Sequence, residues 1–167
     1  DSSGNVYVAD TDNHKIRKYT AGTGAWSDFA GSGAIGSADG TGTIATFNFP
    51  SSMTIDAAGN LYVAGRNNSN SVRKITPAGV VTTRSTAWPN NFMALAIEPL
   101  GRVYARTSAN ELIFIDMTNG STSQIGSATV FTGGIASDSS GNIYATDFTG
   151  HRVYYQLTRA GNVAPTV

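Results

Sequence analysis

A ten-residue pattern occurs four times along the chain, and this internal repeat constrains the fold more than any other feature of the sequence. Each copy has an acidic residue, then a glycine, then an alternating segment that contains a tyrosine. The copies are DSSGNVYVAD, DAAGNLYVAG, EPLGRVYART and DSSGNIYATD, beginning at Asp1, Asp56, Glu98 and Asp138. The later copies are roughly 40 residues apart, a length that fits four short strands. The sequence therefore predicts repeated four-stranded units.

Each unit reads as an antiparallel meander built around a tight turn. Glycine tolerates a positive φ there, and the acidic side chain can accept hydrogen bonds from nearby backbone N–H groups. The strands predicted before the turn are Ser52–Ile55, Ala94–Ile97 and Gly134–Ser137, and those after it are Val6–Ala9, Leu61–Ala64, Val103–Ala105 and Ile143–Ala145. No segment has an apolar period of 3.6 residues, so we expect essentially no helix.

The segment GNVYVADTDNHKIRKYT at Gly4–Thr20 resembles an NHL repeat. The segment DGTGTIATFNFP at Asp39–Pro50 resembles the link between blades in bacterial members of that family. The resemblance implies an all-β fold, a β-propeller of about four NHL-type blades that is incomplete or fragmentary. The blades would form a single domain over residues 1–167, with repeats that start at about 1, 56, 98 and 138. Residues 162–167 read either as a last strand or as a linker toward a following domain.

Composition excludes several classes of function. The formal net charge is +0 and 13% of the residues are charged, whereas a nucleic-acid surface needs an excess of Lys and Arg. The chain has no cysteine, so disulfides and thiolate metal sites are ruled out, and no apolar stretch is long enough for a membrane span. We therefore expect no nucleic-acid partner and no membrane insertion. The Ser-, Thr- and Gly-rich composition favours a secreted protein, extracellular or at the cell surface, and the resemblance implies a bacterial one.

The order of the strands predicts where a binding site lies. In a four-stranded meander the short repeated turns lie at one end of the unit, and the variable loops and the links between units lie at the other. Variable loops on a repetitive scaffold usually carry the binding residues. The candidate binding residues at this loop end are Asp10, Asp12, Asn13, Arg66, Asn68, Arg106 and Asp147.

The residues most often found in metal and catalytic sites are read here as structural. His14 and His151 are the only histidines, and both occupy one consensus position of the repeat, where a hydrogen-bonding loop role is expected. Asp10 and Asp12 lack the glycine and the glutamate that complete a calcium loop. No sequence marks a serine nucleophile. We therefore expect no catalytic residue, no metal and no cofactor.

The remaining polar features are also interpreted as structural. Arg17 and Arg73 recur at one strand position, and a solvated basic face is the prediction for them. Asp39 lies in a glycine-rich link, where Asp usually forms turns. Asn67 and Asn119 begin glycosylation sequons, which matter only where the source organism glycosylates.

Three functions are compatible with these observations. The first is a noncatalytic extracellular module that binds a protein or a glycan, serves in adhesion or assembles with itself, without enzyme activity. The alternative is a metal-dependent propeller enzyme of the lyase or lactonase type, which would hold a metal on the axis with His or carboxylate ligands from several blades. The third is an RNA-binding NHL domain, which the net charge disfavours.

The first repeat lacks the strand that precedes its turn. The edge of the next strand, at Val6, Tyr7 and Val8, is therefore a possible assembly edge. We expect this edge to be covered, either by residues outside this sequence or by a strand from a neighbouring copy. Head-to-tail addition of copies would produce an oligomer or a filament.

Overall fold

A computed structural model of the protein describes residues 1–66, 71–85, 89–125, 133–147, 152–157 and 163–166, with the last two ranges and Ser85 described for the backbone alone. The strands are β1 Val6–Asp10, β2 Lys15–Thr20, β3 Ala25–Ala30, β4 Gly40–Thr41, β5 Pro50–Ile55, β6 Leu61–Gly65, β7 Ser71–Ile75, β8 Val80–Ser85, β9 Phe92–Ile97, β10 Val103–Thr107, β11 Leu112–Ile115, β12 Thr122–Gln124, β13 Ile135–Ser137, β14 Ile143–Asp147, β15 Arg152–Leu157 and β16 Val163–Thr166. Within these ranges the helical structure is a 3₁₀ turn at Gly42–Ile44. No helix in them is long and apolar enough to cross a membrane.

The strands form four antiparallel sheets, each made of consecutive strands and called a blade here. Blade one is β1–β3, blade two is β5–β8 with β4 added beside β8, blade three is β9–β12, and blade four is β13–β16. The first strands of blades two to four lie side by side: Ser52 Oγ in β5 accepts a hydrogen bond from Leu95 N in β9 (2.9 Å), and Ser137 Oγ in β13 donates to Ile97 O (2.5 Å). The prediction of an all-β fold with about four blades is confirmed.

Successive side chains in a strand point to opposite faces of its sheet, and each blade uses this alternation to pack on both sides. In β6, Leu61 and Val63 belong to an apolar cluster with residues of blade one, whereas Tyr62 and Ala64 belong to a cluster with residues of blade three. The faces of the middle blades are therefore occupied by neighbouring blades. The two ends of such a blade are therefore its most accessible parts.

The acidic residue of the repeat organises the turn that follows it. Asp56 Oδ1 accepts a hydrogen bond from Asn60 N (2.8 Å), and Oδ2 accepts from Asn60 Nδ2 (2.8 Å) and from the Tyr62 hydroxyl (3.0 Å). Gly59 has a φ of +81°, a conformation that favours glycine. The first and fourth copies form the same three bonds. The repeated sequence pattern therefore specifies the same hydrogen-bonded turn in these copies.

We expect the turn of blade four to make stability depend on pH in the acid range. Hydrogen bonds from the Asn142 side chain and backbone, and then from Tyr144, lower the pKa of Asp138 to about 2, from about 3.9 in an unfolded chain. A group whose pKa is depressed on folding contributes stability above the unfolded pKa, and this contribution is lost as the pH falls through the folded pKa. The difference in unfolding free energy between the wild type and Asp138→Asn should therefore shrink from pH 4 to pH 2. Urea unfolding at a series of pH values measures it, and a constant difference would contradict the assignment.

The link between β3 and β5 packs against blade two through Arg73. Its Nη1 donates to Thr46 O (2.9 Å), and its Nη2 donates to Ala38 O and to Asp39 Oδ1 (both 2.9 Å). The guanidinium also lies 5.1 Å from the centroid of the Phe47 ring. Arg73 is only 4% exposed, so the prediction of a solvated basic face is wrong at this position, because the link covers it. Asp39, interpreted from the sequence as a turn former, is the acidic partner in this ion pair.

The same link adds a strand that the sequence did not predict. Gly40 and Thr41 form β4, which pairs antiparallel with Val81 and Val80 of β8. Gly42 N then donates to Gly79 O (2.9 Å). Blade two therefore has five strands, and its outer edge is covered by a segment that precedes it in the chain.

The described neighbour of β1 is β2, so β1 is the edge strand of blade one within the described ranges. Val6 and Val8 are 51% and 40% exposed. Between β1 and β5 lies a cavity of about 260 Å³ whose lining includes Tyr7. An exposed strand edge of this kind can accept another strand. The covering of Val6, Tyr7 and Val8 by such a strand stays a prediction.

Candidate functional site

The loop after β1 is fixed by His14. This residue has a φ of +55°, and its Nδ1 accepts a hydrogen bond from Phe49 N (3.2 Å). The imidazole also packs edge-on against the Phe49 ring, with 4.4 Å between centroids. His14 is 8% exposed and joins the loop of blade one to the end of the link. Because Nδ1 is the acceptor, the proton of the neutral imidazole is assigned to Nε2.

The carboxylates of the same loop face solvent. Asn13 Nδ2 donates to Asp10 Oδ1 (2.8 Å), and Asp10 Oδ2 lies 3.9 Å from the Arg17 guanidinium. Asp12 is exposed. Of the predicted binding residues, Asp10 and Asn13 are thus brought together by a direct hydrogen bond.

A second group of polar side chains lies at the loop end of blade three. It consists of Asn90, Arg106, Thr107, Asn110 and Glu111, and is called the blade-three loop cluster. Glu111 Oε2 accepts hydrogen bonds from Asn90 Nδ2 and from Thr107 Oγ1, both at 2.9 Å. Arg106 Nη1 donates to Asn110 Oδ1 (3.2 Å) and to Thr107 O (3.4 Å), and burial lowers the pKa of Arg106. A carboxylate and a guanidinium are therefore held on one short loop.

Three buried polar atoms near this cluster have no hydrogen-bond partner among the described residues: Ser51 Oγ, Asn91 Oδ1 and Arg106 Nε. Ser51 is at the start of β5, Asn91 immediately precedes β9, and Arg106 is near the end of β10. All three therefore lie at the loop end of blades two and three. Leaving such an atom without a partner costs about 1–3 kcal/mol, so a ligand that bonded to these atoms would gain affinity.

The structure distributes the other predicted residues over separate loops. Arg66 is exposed, and Asp147 is buried. Asn68 lies outside the described residues. Arg106 is the predicted residue that belongs to the blade-three loop cluster, whereas Glu111 was missed. No local pattern marks Glu111, because one of its hydrogen-bond partners comes from a separate segment that precedes β9.

The described residues do not fit a metal centre. Metal sites in proteins are built from clustered His, Asp, Glu or Cys side chains. Within the described ranges no three such side chains lie close enough to hold a metal ion. His151 lies outside these ranges.

Nearly the whole length of this chain aligns with solved β-propeller proteins. Virginiamycin B lyase from Staphylococcus aureus aligns with a TM-score of 0.75 and 14% identity, covering 99% of this chain and 52% of the lyase chain, and a catalytically inactive variant of it was solved with quinupristin. YCF48 bound to D1 peptide aligns with a TM-score of 0.67 and 9% identity over 99% of this chain and 50% of its own. A protein described as a candidate gluconolactonase aligns with a TM-score of 0.65 and 16% identity over 96% and 58%. The fold is that of a β-propeller, and the chain spans about half the length of these solved structures.

The family comparison adds the type of blade. Residues 1–19 match the family model of the NHL repeat, so this β-propeller carries an NHL repeat in its first blade. None of the curated protein sequences matches the chain.

These findings correct the interpretation of the chain as a noncatalytic module. Lyases and a candidate lactonase are among the similar structures, and they favour the alternative of a propeller enzyme. The interpretation relied on the composition, on the incomplete first blade and on the lack of a recognisable catalytic constellation in the sequence. In a propeller, the groups that surround the axis come from different blades, so no single stretch need contain such a constellation.

Proposed function

We propose that these blades belong to a propeller enzyme of the lyase or lactonase type, which binds its substrate at the loop end of blades two and three. The observation that carries the proposal is the similarity to virginiamycin B lyase over 99% of the chain. The candidate gluconolactonase adds support from a second reaction class on the same fold. A lyase that eliminates a group beside a carbonyl and a lactonase that opens a cyclic ester would both need a group that moves a proton and a group that stabilises negative charge on oxygen.

The blade-three loop cluster supplies both kinds of group that such chemistry needs. A positioned carboxylate can take or give a proton, and a fixed cation can stabilise a developing oxyanion. Glu111 is assigned the first role, because Asn90 and Thr107 hold its Oε2 in a fixed position. Arg106 is assigned the second, because its Nη1 is anchored while its buried Nε has no partner in the described part of the chain. Thr107 bonds to both residues and fixes them relative to each other.

Neither role is routed through a metal. Since the described residues do not form a three-ligand group, the metal-dependent version of the alternative finds no support in this part of the chain. The proposal is therefore limited to what the side chains of the cluster can do: bind the carbonyl oxygen, hold the reacting group and move a proton.

The test uses the full chain with one substrate of each class. Quinupristin and a sugar lactone are incubated with the purified protein, and ring opening is followed by mass spectrometry. We expect turnover of one of them, reduced about 100-fold or more in Glu111→Gln and in Arg106→Met. Lys18→Met is the control, since Lys18 lies over the Tyr7 ring in blade one, far from the cluster in sequence and fold. A folded protein that turns over neither substrate, or variants that retain full activity, would overturn the proposal.

A further inference from the structure

A cavity of about 530 Å³ opens beside blade three, at the end opposite to the blade-three loop cluster. Its walls come from the two turns of that blade and the adjoining strands, and include Arg102, Tyr104, Phe114, Asp116 and Met117. Pockets that bind small molecules usually measure about 300–1,000 Å³. The cavity is therefore large enough for a small ligand, and none of its lining residues takes part in the function proposed above.

One residue in the cavity lining, Phe114, stands where the first two blades have a lysine. The cross-strand partner of the repeat tyrosine is Lys18 for Tyr7 and Lys74 for Tyr62. In each of these blades the Nζ atom lies over the tyrosine ring, 5.6 Å and 5.9 Å from its centroid. These blades therefore place their own cation on the aromatic surface.

In blade three the corresponding partner of Tyr104 is Phe114. The two rings are tilted by 57°, with 5.9 Å between centroids. The blade thus gains a second aromatic ring at the position where the other two have an ammonium group. Aromatic faces attract cations through their negative potential, and this blade supplies no lysine there.

A second lining residue adds a negative charge. Asp116 occupies the position of Thr20 in blade one and Thr76 in blade two, two residues after the cross-strand partner of the tyrosine. Its Oδ1 accepts hydrogen bonds from Thr118 N (2.8 Å) and Thr118 Oγ1 (2.5 Å), and these bonds lower the pKa of Asp116. The carboxylate is therefore ionised at neutral pH.

The positive residue in the wall is already paired. Arg102 stands where the other three copies have asparagine, and its Nε lies 2.5 Å from Glu98 Oε1. Glu98 replaces the aspartate of those copies and carries the same charge. Over the positions of Glu98, Arg102, Phe114 and Asp116, blade three bears one net negative charge, whereas the same positions in blades one and two are neutral. An anionic ligand would meet no unpaired cation among these four residues.

We propose that this cavity binds a small organic cation, an amine or quaternary ammonium with an apolar group attached. The cation lies against the Phe114 ring and near the Asp116 carboxylate. The apolar group packs against Met117 and Ile125, which also line the cavity. Cation–π contact and charge attraction each favour the ligand, and the apolar side chains in the lining favour an alkyl or aryl substituent over a bare ammonium ion.

The probe for the test is benzyltrimethylammonium, titrated into the full chain and followed by ligand-observed NMR. Benzyl alcohol is the neutral comparison and benzoate the anionic one. We expect saturable binding of the cation, and binding at least about tenfold weaker for the other two. Equal affinity for benzyl alcohol would show that the cavity recognises an apolar ring only, and would overturn the proposal.

Two variants test the residues that carry the argument. Phe114→Lys restores the lysine of the other blades, and we expect it to abolish binding because the internal cation then occupies the site. Asp116→Asn keeps a side chain that can accept the bonds from Thr118, and should weaken binding about three- to tenfold. Lys18→Met, which is remote from the cavity, should leave binding unchanged. If Phe114→Lys fails to fold, Asp116→Asn decides alone, and an affinity equal to that of the wild type contradicts the proposal.

Discussion

Replacing Arg73 by methionine should lower the free energy of unfolding by about 3 kcal/mol, because it removes a buried guanidinium that holds the link to blade two. The substitution keeps an apolar side chain but deletes the donors to Thr46 O, Ala38 O and Asp39 Oδ1, together with the guanidinium that lies over the Phe47 ring. Both carbonyl groups then lose a charged hydrogen-bond donor. Urea unfolding followed by circular dichroism measures the change.

Arg17→Met is the matched control, because Arg17 occupies the equivalent strand position in blade one. Its side chain is 37% exposed and pairs with Asp28 (2.9 Å), and partly exposed ion pairs contribute at most about 1 kcal/mol. The two arginines should therefore differ threefold or more in their effect. Equal losses in the two variants would show that the link does not depend on the buried guanidinium.

A similar loss, about 3 kcal/mol, is expected for Gly31→Ala at the start of the link. Gly31 has a φ of +100°, and a Cβ there would lie 2.6 Å from His14 O and 3.0 Å from both Lys15 Cα and Phe47 Cδ2. Backbone strain and overpacking of a close contact each cost about 1–3 kcal/mol. Because two of the three contacting atoms belong to the backbone, the clash cannot be relieved by a change of rotamer.

Gly22→Ala separates this effect from the general cost of losing a glycine. A Cβ at Gly22 meets nothing within 4 Å, and its φ is outside the left-handed region. The control variant should keep the stability of the wild type or gain up to about 1 kcal/mol, since alanine restricts the unfolded chain. Thermal unfolding of both variants is the measurement, and a Gly31→Ala variant as stable as Gly22→Ala would contradict the close approach.

The blades could be predicted from the sequence because their determinants are local and repeated. The turn depends on Asp56, Asn60 and Tyr62, all within seven residues, and the first and fourth copies have the same three residue types at the same spacing. The third copy keeps the acidic residue and the tyrosine but has Arg102 in place of the asparagine. The strand predicted at Ser52–Ile55 is observed at Pro50–Ile55, so the error is limited to its first residues. Alternation and turn chemistry were sufficient at this level.

The different burial of Arg17 and Arg73 could not be predicted, because each arginine follows a β-branched residue and precedes a lysine at the same strand position. What distinguishes them is the segment that covers Arg73, which comes from a link 27 to 35 residues earlier in the chain. The candidate site could not be predicted from the sequence for the same reason, because it also depends on contacts with a distant segment. Glu111 acquires its position from Asn90, 21 residues away, and no spacing within one repeat signals that contact. Contacts between units decide burial and site geometry, and the repeat pattern contains no information about them.

The link between blades one and two affects how the protein unfolds. In proteins built from repeats, stability is approximately the sum of a term for each unit and a term for each junction between neighbours. Here β4, contributed by the link, pairs with β8, while the side chain of Arg73 holds the same link to blade two. The junction term is therefore large at this boundary. We therefore expect blades one and two to unfold together as one cooperative unit rather than blade by blade.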